Sequence, residues 1–504
     1  SRRNNNRRSN QNSRPWSRYQ DRRPRPASRD QSFIDLTTSS KNYANKRRFQ
    51  VFAQGGRTAS SRTAKFKTPN GATETTDKID SLELSPEQEY VLQLADKGES
   101  FFFTGAAGTG KSYVLRRLIK NLNKKYNDGE VQVTASTGMA AVNIGGRTLH
   151  SFAGIGFGKE PVKTLLQRVR RSRRTMMRWQ NSKVLIVDEV SMIESGLFDK
   201  IEQIARDVRG EHDKPFGGLQ VILCGDFLQL PPVSMNMKFA FEARSWRSCV
   251  THEIVLTKVF RQKNQKLVKI LNDLRMGSCN AESEKLLRSC LNKKLSIEDG
   301  IEPTRLYPNK RSVKRENEER MEMLRTEEHV FMAEDSGNQM HLNNLQKNCP
   351  APAVLRLKEK AQVMLLKNLD FEKGLVNGSR GVVTGYTTQK FQDEDGKTSE
   401  EIVPIVRFFS GVECSVGPEE WKISSGEETM ASRVQIPLVA AWALTIHKCQ
   451  GMTIDKATMS LADCFEFGQL YVAVSRIRSL DGLSLTSFDR SKVKAHPKVK
   501  EYYR

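Results

Sequence analysis

No Cys-x-x-Cys pair, no run of about 18 apolar residues and no initiator methionine occurs in these 504 residues. The eight cysteines (Cys224, Cys249, Cys279, Cys290, Cys349, Cys414, Cys449 and Cys464) stand far apart. That spacing excludes a paired-cysteine zinc site and argues against a disulfide frame. It leaves reduced thiols, as in a cytosolic, nuclear or mitochondrial-matrix protein. Without a long apolar run, nothing is expected to span a membrane. Ser1 stands where a methionine would, so the natural start, with any targeting signal, is expected to lie outside this sequence.

Acidic residues are also scarce, 58 Asp and Glu against 82 Lys and Arg, for a net charge of +24. The first eighty residues hold 19 of those cations but only six acids, Asp21, Asp30, Asp35, Glu74, Asp77 and Asp80, a surplus of +13. The remainder of the chain is basic as well. Neutralising phosphates releases counterions, so such a balance points first to nucleic acid and second to an anionic membrane surface. Simple solubilisation by Lys and Arg is the third reading.

Length sets the domain count, because single cores stop growing near about 250–300 residues and longer chains split. Residues 1–80 lack helical or strand periodicity and are expected to form a disordered basic tail. Within it, RRPRP (Arg22 to Pro26) and NKRR (Asn45 to Arg48) are either import or nucleic-acid patches or an ordinary solvated arm. FIDLT (Phe33 to Thr37) resembles a strand-adding peptide for small ubiquitin-like modifiers, or is a chance run.

From Leu84 onward, short apolar runs alternate with amphipathic stretches. FFFT (from Phe101), VQVTA (from Val131), VLIVD (from Val184) and LQVILC (from Leu219) have the form of buried strands. Between them, Val114, Leu115, Leu118, Ile119 and Leu122 share one helical face, and Leu197, Phe198, Ile201, Ile204 and Val208 share another. Alternation of this kind predicts parallel sheets covered on both faces, with ligands at the carboxyl ends of the strands. The expected division is a first α/β domain over 81–260 and a second over 261–504. A small basic element is expected near 155–180, and a strand-rich, Gly- and Glu-rich insertion near 380–430.

Three local patterns carry chemistry. Gly105, Ala106, Ala107, Gly108, Thr109, Gly110, Lys111 and Ser112 follow FFFT and open a helix. Glycines there let backbone N–H groups turn toward phosphates, Lys111 suits the β and γ phosphates, and Ser112 suits Mg²⁺. VLIVD ends in Asp188 and Glu189, a metal carboxylate and a base for the attacking water of ATP hydrolysis. LQVILC leads to Gln229, whose amide can report the γ-phosphate. Farther on, Arg261 in VFRQ and Arg476 in VAVSR are candidates to stabilise the transferring phosphoryl group.

In order, LSPEQ, GAAGTGKS, TASTGMAAVNIGGRTLHSFAGIG, LIVDEVSM, CGDFLQLPPV, KVFRQ, LVNGSRG, TIHKCQGMT and YVAVSR resemble the RecD-like superfamily 1B DNA helicases, and within them the Pif (petite integration frequency) group. SMIESGLFDKIEQIARDVRG resembles that group's signature helix. The resemblance covers nearly all of Leu84 to Arg504. It implies an α/β fold of two tandem RecA-like parallel-sheet motor domains with a small inserted β-module. It further implies ATP and Mg²⁺ as cofactors, and DNA-stimulated ATP hydrolysis driving 5′→3′ translocation on single-stranded DNA.

The implied partners are single-stranded and forked DNA and G-quadruplex DNA, met by a monomer in genome maintenance, telomeres included, in the nucleus, the mitochondrion or both. Carried over by position, Gln88 would bind the adenine edge. DNA would meet Thr134, Ser136, Thr137, His150, Phe152, Asn377, Gly378, His447, Lys448 and Gln450. Hydroxyls and amides suit phosphates, and His150 or Phe152 could stack on a base. Cys449 departs from the group, where Ser is common, and a thiol is the weaker donor.

Seven cations and no acid lie between Lys163 and Arg178. They form either a DNA grip beside a strand-splitting wedge or a solvated basic helix. Two rival functions remain at this point, an ATPase that translocates without separating strands and a nucleic-acid scaffold with a vestigial motor.

Overall fold

The computed structural model describes residues 83–504, apart from 234–236, 263, 298–299, 338, 371–372, 393–397 and 426–427. The expectations for the basic tail, including RRPRP, NKRR and FIDLT, lie outside the described residues. Among the described residues no helix is long and apolar enough to cross a membrane.

Six strands build the first sheet: β1 (Phe101–Gly105), β2 (Val131–Ala135), β3 (Arg147–Thr148), β4 (Val184–Asp188), β5 (Gln220–Cys224) and β6 (His252–Leu256). They run parallel in the order β3-β2-β4-β5-β1-β6. Successive residues of a strand face opposite sides, and the packing follows that alternation. Phe102, Leu185, Val187, Val221 and Leu223 enter one core with Trp179 and Phe198, while Phe101, Phe103, Val184, Ile186 and Ile222 enter another with Leu115 and Leu118. Both faces are therefore covered at β1, β4 and β5, whose residues are all buried and mostly apolar.

The second parallel sheet has four strands: β7 (Thr304–Tyr307), β18 (Ala443–Thr445), β19 (Ala457–Ser460) and β20 (Leu483–Ser487), in the order β18-β7-β19-β20. Between β7 and β18 the chain makes antiparallel structure. β8 (Glu328–Met332) pairs with β10 (Val354–Lys358), and β9 (Glu334–Gly337) with β16 (Glu428–Gln435), which also pairs with β15 (Glu419–Ser425). A five-stranded sheet completes this module from β11 (Gln362–Leu365), β12 (Arg380–Gln392), β13 (Thr398–Phe408), β14 (Glu413–Ser415) and β17 (Leu438–Ala440). Leu357, Val363, Leu365, Val383, Val406 and Phe408 form its separate core.

The last residues return to the first sheet. In the helix Pro497–Tyr502, Val499 is fully buried with the first sheet's core. Beyond it, the Tyr503 hydroxyl bonds with Thr104 Oγ1 at 2.9 Å and accepts from Phe227 N at 3.2 Å.

Candidate nucleotide site and nucleic-acid surface

The turn after β1 is shaped by three glycines that no other residue replaces without collision. Gly105, Gly108 and Gly110 have φ of 159°, 89° and 84°. A Cβ at Gly108 would lie 2.5 Å from Gln262 Oε1, and one at Gly110 would lie 2.8 Å from Gln88 Nε2. Gly110 then caps the helix Lys111–Lys125 with no side chain on its first N–H groups, which leaves them directed into the concavity. The Lys111 ammonium folds back and donates to Gly105 O at 2.6 Å and Ala106 O at 3.1 Å. Burial pushes its pKa down, opposed by Asp226 and other nearby acids.

Gln88 is placed behind this loop rather than in the cleft. Its Oε1 accepts from Ser85 N at 3.1 Å and its Nε2 donates to Thr109 O at 3.2 Å, so the amide closes a capping box and braces the loop. An adenine-facing role for Gln88 is therefore not what this arrangement presents. Among the aromatic groups that line the cavity, Phe260 is 42 % exposed and lies beside Gly110. Nothing local in VFRQ distinguishes Phe260 from a core aromatic. Its position follows from Phe260 N donating to Gly108 O at 2.8 Å.

Asp188 ends β4, two strands from β1, and Glu189 follows it directly. Glu189 adopts φ 53° and ψ 46°, the left-handed region that a non-glycine residue enters at a cost of about 1–2 kcal/mol. Burial pushes the Asp188 carboxyl up. Glu189 rises to about 7, because burial and the neighbouring Asp188 both disfavour its charge. Cys224 beside them is buried and its thiol pKa is raised well above the usual value, chiefly by burial.

Lys111, Ser112, Asp188, Glu189, Gln229, Arg261 and Arg476 all line one cavity of about 1450 Å³ between the two parallel sheets. Gln229 Nε2 reaches Asp226 Oδ2 at 3.5 Å, and Asp226 forms a two-pronged pair with Arg275 at 2.8 and 3.1 Å. Burial opposes the charge on Asp226, but Arg275 outweighs it and holds the carboxyl below its ordinary range. Arg261 Nη1 donates to Ser475 O at 3.1 Å. Burial, with Arg476 close by, depresses the Arg261 pKa to about 9. Arg476 is held by Val472 O at 2.9 Å and Ser475 Oγ at 2.7 Å.

The residues assigned to DNA separate into groups. Thr137, His447, Lys448 and Gln450 line the same cavity. Gln450, however, turns toward the chemistry: its Nε2 donates to Glu189 Oε2 at 2.8 Å. His447 pairs with Glu466 at 3.0 Å, and Lys448 has its pKa lowered by burial and by Lys310. Gly378, φ 95°, lies against Met452, which brings the loop of Asn377 beside the loop of Gln450. His150 is half-buried, which lowers its pKa, and Ser136 is half-buried at the end of β2.

Two assignments are corrected. Phe152 has no exposed surface and packs on Trp179 at 4.5 Å, so no ring face is left for a base. Thr134 is fully buried and donates its hydroxyl to Ile186 O at 2.6 Å, inside the sheet. Phe152 serves instead to anchor the second of the basic helices Val162–Arg171 and Arg173–Asn181, since Arg178 donates to its carbonyl at 2.9 Å. Leu165, Val169 and Trp179 face inward there, while Lys163, Arg170, Arg171 and Arg173 stay exposed. Cys449 is also fully buried, its thiol pushed up to about 12 by burial, so it packs in the second core instead of facing the cleft.

A family model of PIF1-like helicases matches residues 83–285, and one of the DNA helicase Pif1 2B domain matches residues 341–386. The crystal structure of Pif1 helicase from Candida albicans is 39 % identical, with a TM-score of 0.72, over 84 % of this chain and 99 % of that one. The chain belongs to the PIF1-like helicase family. Its resemblance to human ATP-dependent DNA helicase PIF1 is 45 % identity over 426 residues, 84 % of this chain and 63 % of that protein, so it spans less than two thirds of the human relative. Pif1 helicase from Bacteroides, solved with ADP-AlF3 and single-stranded DNA, is 29 % identical with a TM-score of 0.59, over 84 % of this chain and 96 % of that one. Within the PIF1-like fold, the 2B match falls on the antiparallel module between β7 and β18.

Proposed function

We propose that this protein is an ATP-dependent DNA helicase that moves along single-stranded DNA and unwinds the duplex ahead of it. The observation that carries the reading is one cavity holding a phosphate loop with Lys111, the carboxylates Asp188 and Glu189, and two arginines, Arg476 from beyond the helix Gln469–Val474 and Arg261, whose N donates to Gly108 O of the loop at 3.3 Å. A triphosphate would give the Lys111 ammonium stronger acceptors than the carbonyls of Gly105 and Ala106, and would meet the free N–H groups that follow Gly110. Ser112 and Asp188 suit Mg²⁺, which needs only one or two protein oxygens when phosphates supply others. When bound, the ion neutralises charge on the phosphate oxygens.

Glu189 takes the proton of the attacking water and Gln229 registers the γ-phosphate. Arg261 and Arg476 face the charge that spreads over the γ oxygens, Arg476 first leaving its bonds to Val472 and Ser475. Phe260 offers a face for the base of the nucleotide. Closing the cleft then shifts one sheet against the other, so that a strand gripped by both advances. Thr137, His447, Lys448 and the loop of Asn377 are the groups placed to grip it, with the exposed arginines of the basic helices beside the duplex.

The finer reading is 5′→3′ movement, activity on forked and G-quadruplex DNA, and work in nucleus and mitochondrion. It rests on the sequence resemblance to the Pif group, and DNA binding is supported by the Bacteroides relative solved with single-stranded DNA. Unwinding of forked, 5′-tailed and 3′-tailed duplexes with ATP and Mg²⁺ tests it. Forked and 5′-tailed substrates should open and the 3′-tailed one should not. Preference for the 3′ tail overturns the direction, and ATP hydrolysis without strand separation overturns the helicase assignment in favour of a translocase.

A further inference from the structure

The phosphate loop is touched by a group from the second sheet that the reading above does not use. Ala107 N donates to the Tyr471 hydroxyl at 2.6 Å. Tyr471 is 1 % exposed and lies in the helix Gln469–Val474, four residues before Ser475 and five before Arg476. The same helix is fitted against the first sheet at a second point. Gly468, its N-cap, has φ 71°, and a Cβ there would lie 2.5 Å from Leu228 O and 2.3 Å from Gln229 O. Residues three apart share a helix face, so Gly468 and Tyr471 form one seam. That seam meets the phosphate loop and the γ-phosphate sensor together.

Arg476 stands two residues past the end of this helix and is tied back to it, its N donating to Ala473 O at 3.2 Å and its Nε to Val472 O at 2.9 Å. A short rigid element thus has one end fitted to the two nucleotide loops and carries the arginine at the other. The surroundings fix the tyrosine further. Burial keeps its hydroxyl protonated, and the Asp226–Arg275 pair lies close enough to act on it. A phenylalanine would fill the same volume but would leave the Ala107 N–H without its acceptor.

We propose that Tyr471 is a positioning residue for phosphoryl transfer: by accepting the Ala107 N–H, its hydroxyl sets the register between the phosphate loop and the helix that delivers Arg476. This rests on the assignment of the cavity to ATP hydrolysis. Tyr471 touches the loop backbone rather than the reacting atoms and acts through Arg476. Its effect is therefore on the transition state and not on ground-state binding of nucleotide.

The test compares the 504-residue protein with Tyr471→Phe, Arg476→Lys and the double variant, all with single-stranded DNA present, and uses Lys111→Ala as the control. Tyr471→Phe should lower kcat about tenfold, with KM for ATP and affinity for ADP changed less than about twofold. Affinity for ADP with aluminium fluoride, which mimics the transferring group, should fall by a similar tenfold. On the Arg476→Lys background the same substitution should add less than about twofold, because both act through one arginine. An unchanged kcat, an equal loss of ADP affinity, or a full tenfold loss on the Arg476→Lys background overturns the role of Tyr471. Unimpaired hydrolysis by Lys111→Ala would instead overturn the site assignment itself.

Discussion

The two parallel sheets begin in the same way and end in different chemistry. β1 leads through a glycine loop into the helix Lys111–Lys125, and β7 leads through Pro308 and Asn309 into the helix Lys310–Met323, so both helices start on a lysine. In the first, Gly110 offers no side chain and the leading N–H groups stay open. In the second, the Asn309 side chain accepts from Ser312 N at 2.9 Å, which uses up a donor that a phosphate would need. One arrangement gives up a helix cap and keeps an anion site, and the other does the reverse. The second sheet accordingly offers side chains that cross the cleft, Arg476, Gln450 and Tyr471, in place of a phosphate cradle of its own.

The contrast is broken most severely at its first lysine. Lys111→Ala should lower ATP turnover by at least about a hundredfold, the scale of losing one preorganised charged donor, while single-strand affinity is kept. Asn309→Ala, one residue ahead of the matching lysine, should leave turnover alone and cost about 1 kcal/mol of stability through the lost cap. Steady-state hydrolysis and urea titration of the two variants check the pair. Turnover that falls with Asn309→Ala, or survives Lys111→Ala, would show that the sheets do not divide the work in this way.

Glu189 sharpens the comparison next, since it stands on the first sheet and is bonded to Gln450 from the second. A carboxyl whose pKa lies near 7 is protonated below that pH and cannot accept the water's proton. Hydrolysis should therefore fall as pH drops through about 7. Glu189→Gln should reduce turnover by about 10²–10⁴-fold, bind nucleotide normally, and flatten that acidic limb. Persistence of the limb in Glu189→Gln would assign the titration to another group.

How far the sequence discloses this site depends on whether the chemistry is contiguous. Gly105 to Ser112, Asp188 and Glu189 are short runs at strand ends, and their local rules suffice to place them. Nothing in His447, Lys448, Cys449 and Gln450 says that one member of the run turns to Glu189, because the direction is set by how the loop docks on the first sheet. Phe152 shows the opposite failure. An aromatic beside His150 reads as a stacking face, yet the helix buries it on Trp179, as Thr134 is buried by its bond to Ile186. The Tyr471 contact joins residues 364 apart in the chain, beyond any local pattern.

The smallest effect expected on ATP turnover comes from residues 1–80, which carry +13 but hold none of the phosphate-loop, carboxylate or arginine runs to which hydrolysis is assigned. Charge of this kind binds phosphates without reading sequence, through counterion release, and its contribution grows as salt is lowered. The cavity, by contrast, works through fixed distances and buried groups that salt screens weakly. Removal of 1–80 should leave ATP turnover at saturating DNA unchanged. It should weaken DNA binding most at low salt and make the dependence of log affinity on log salt shallower. A segment that served only as an address or a protein-binding arm would leave that slope untouched, so equal slopes for the full chain and the truncated chain would remove the tail from the DNA interface.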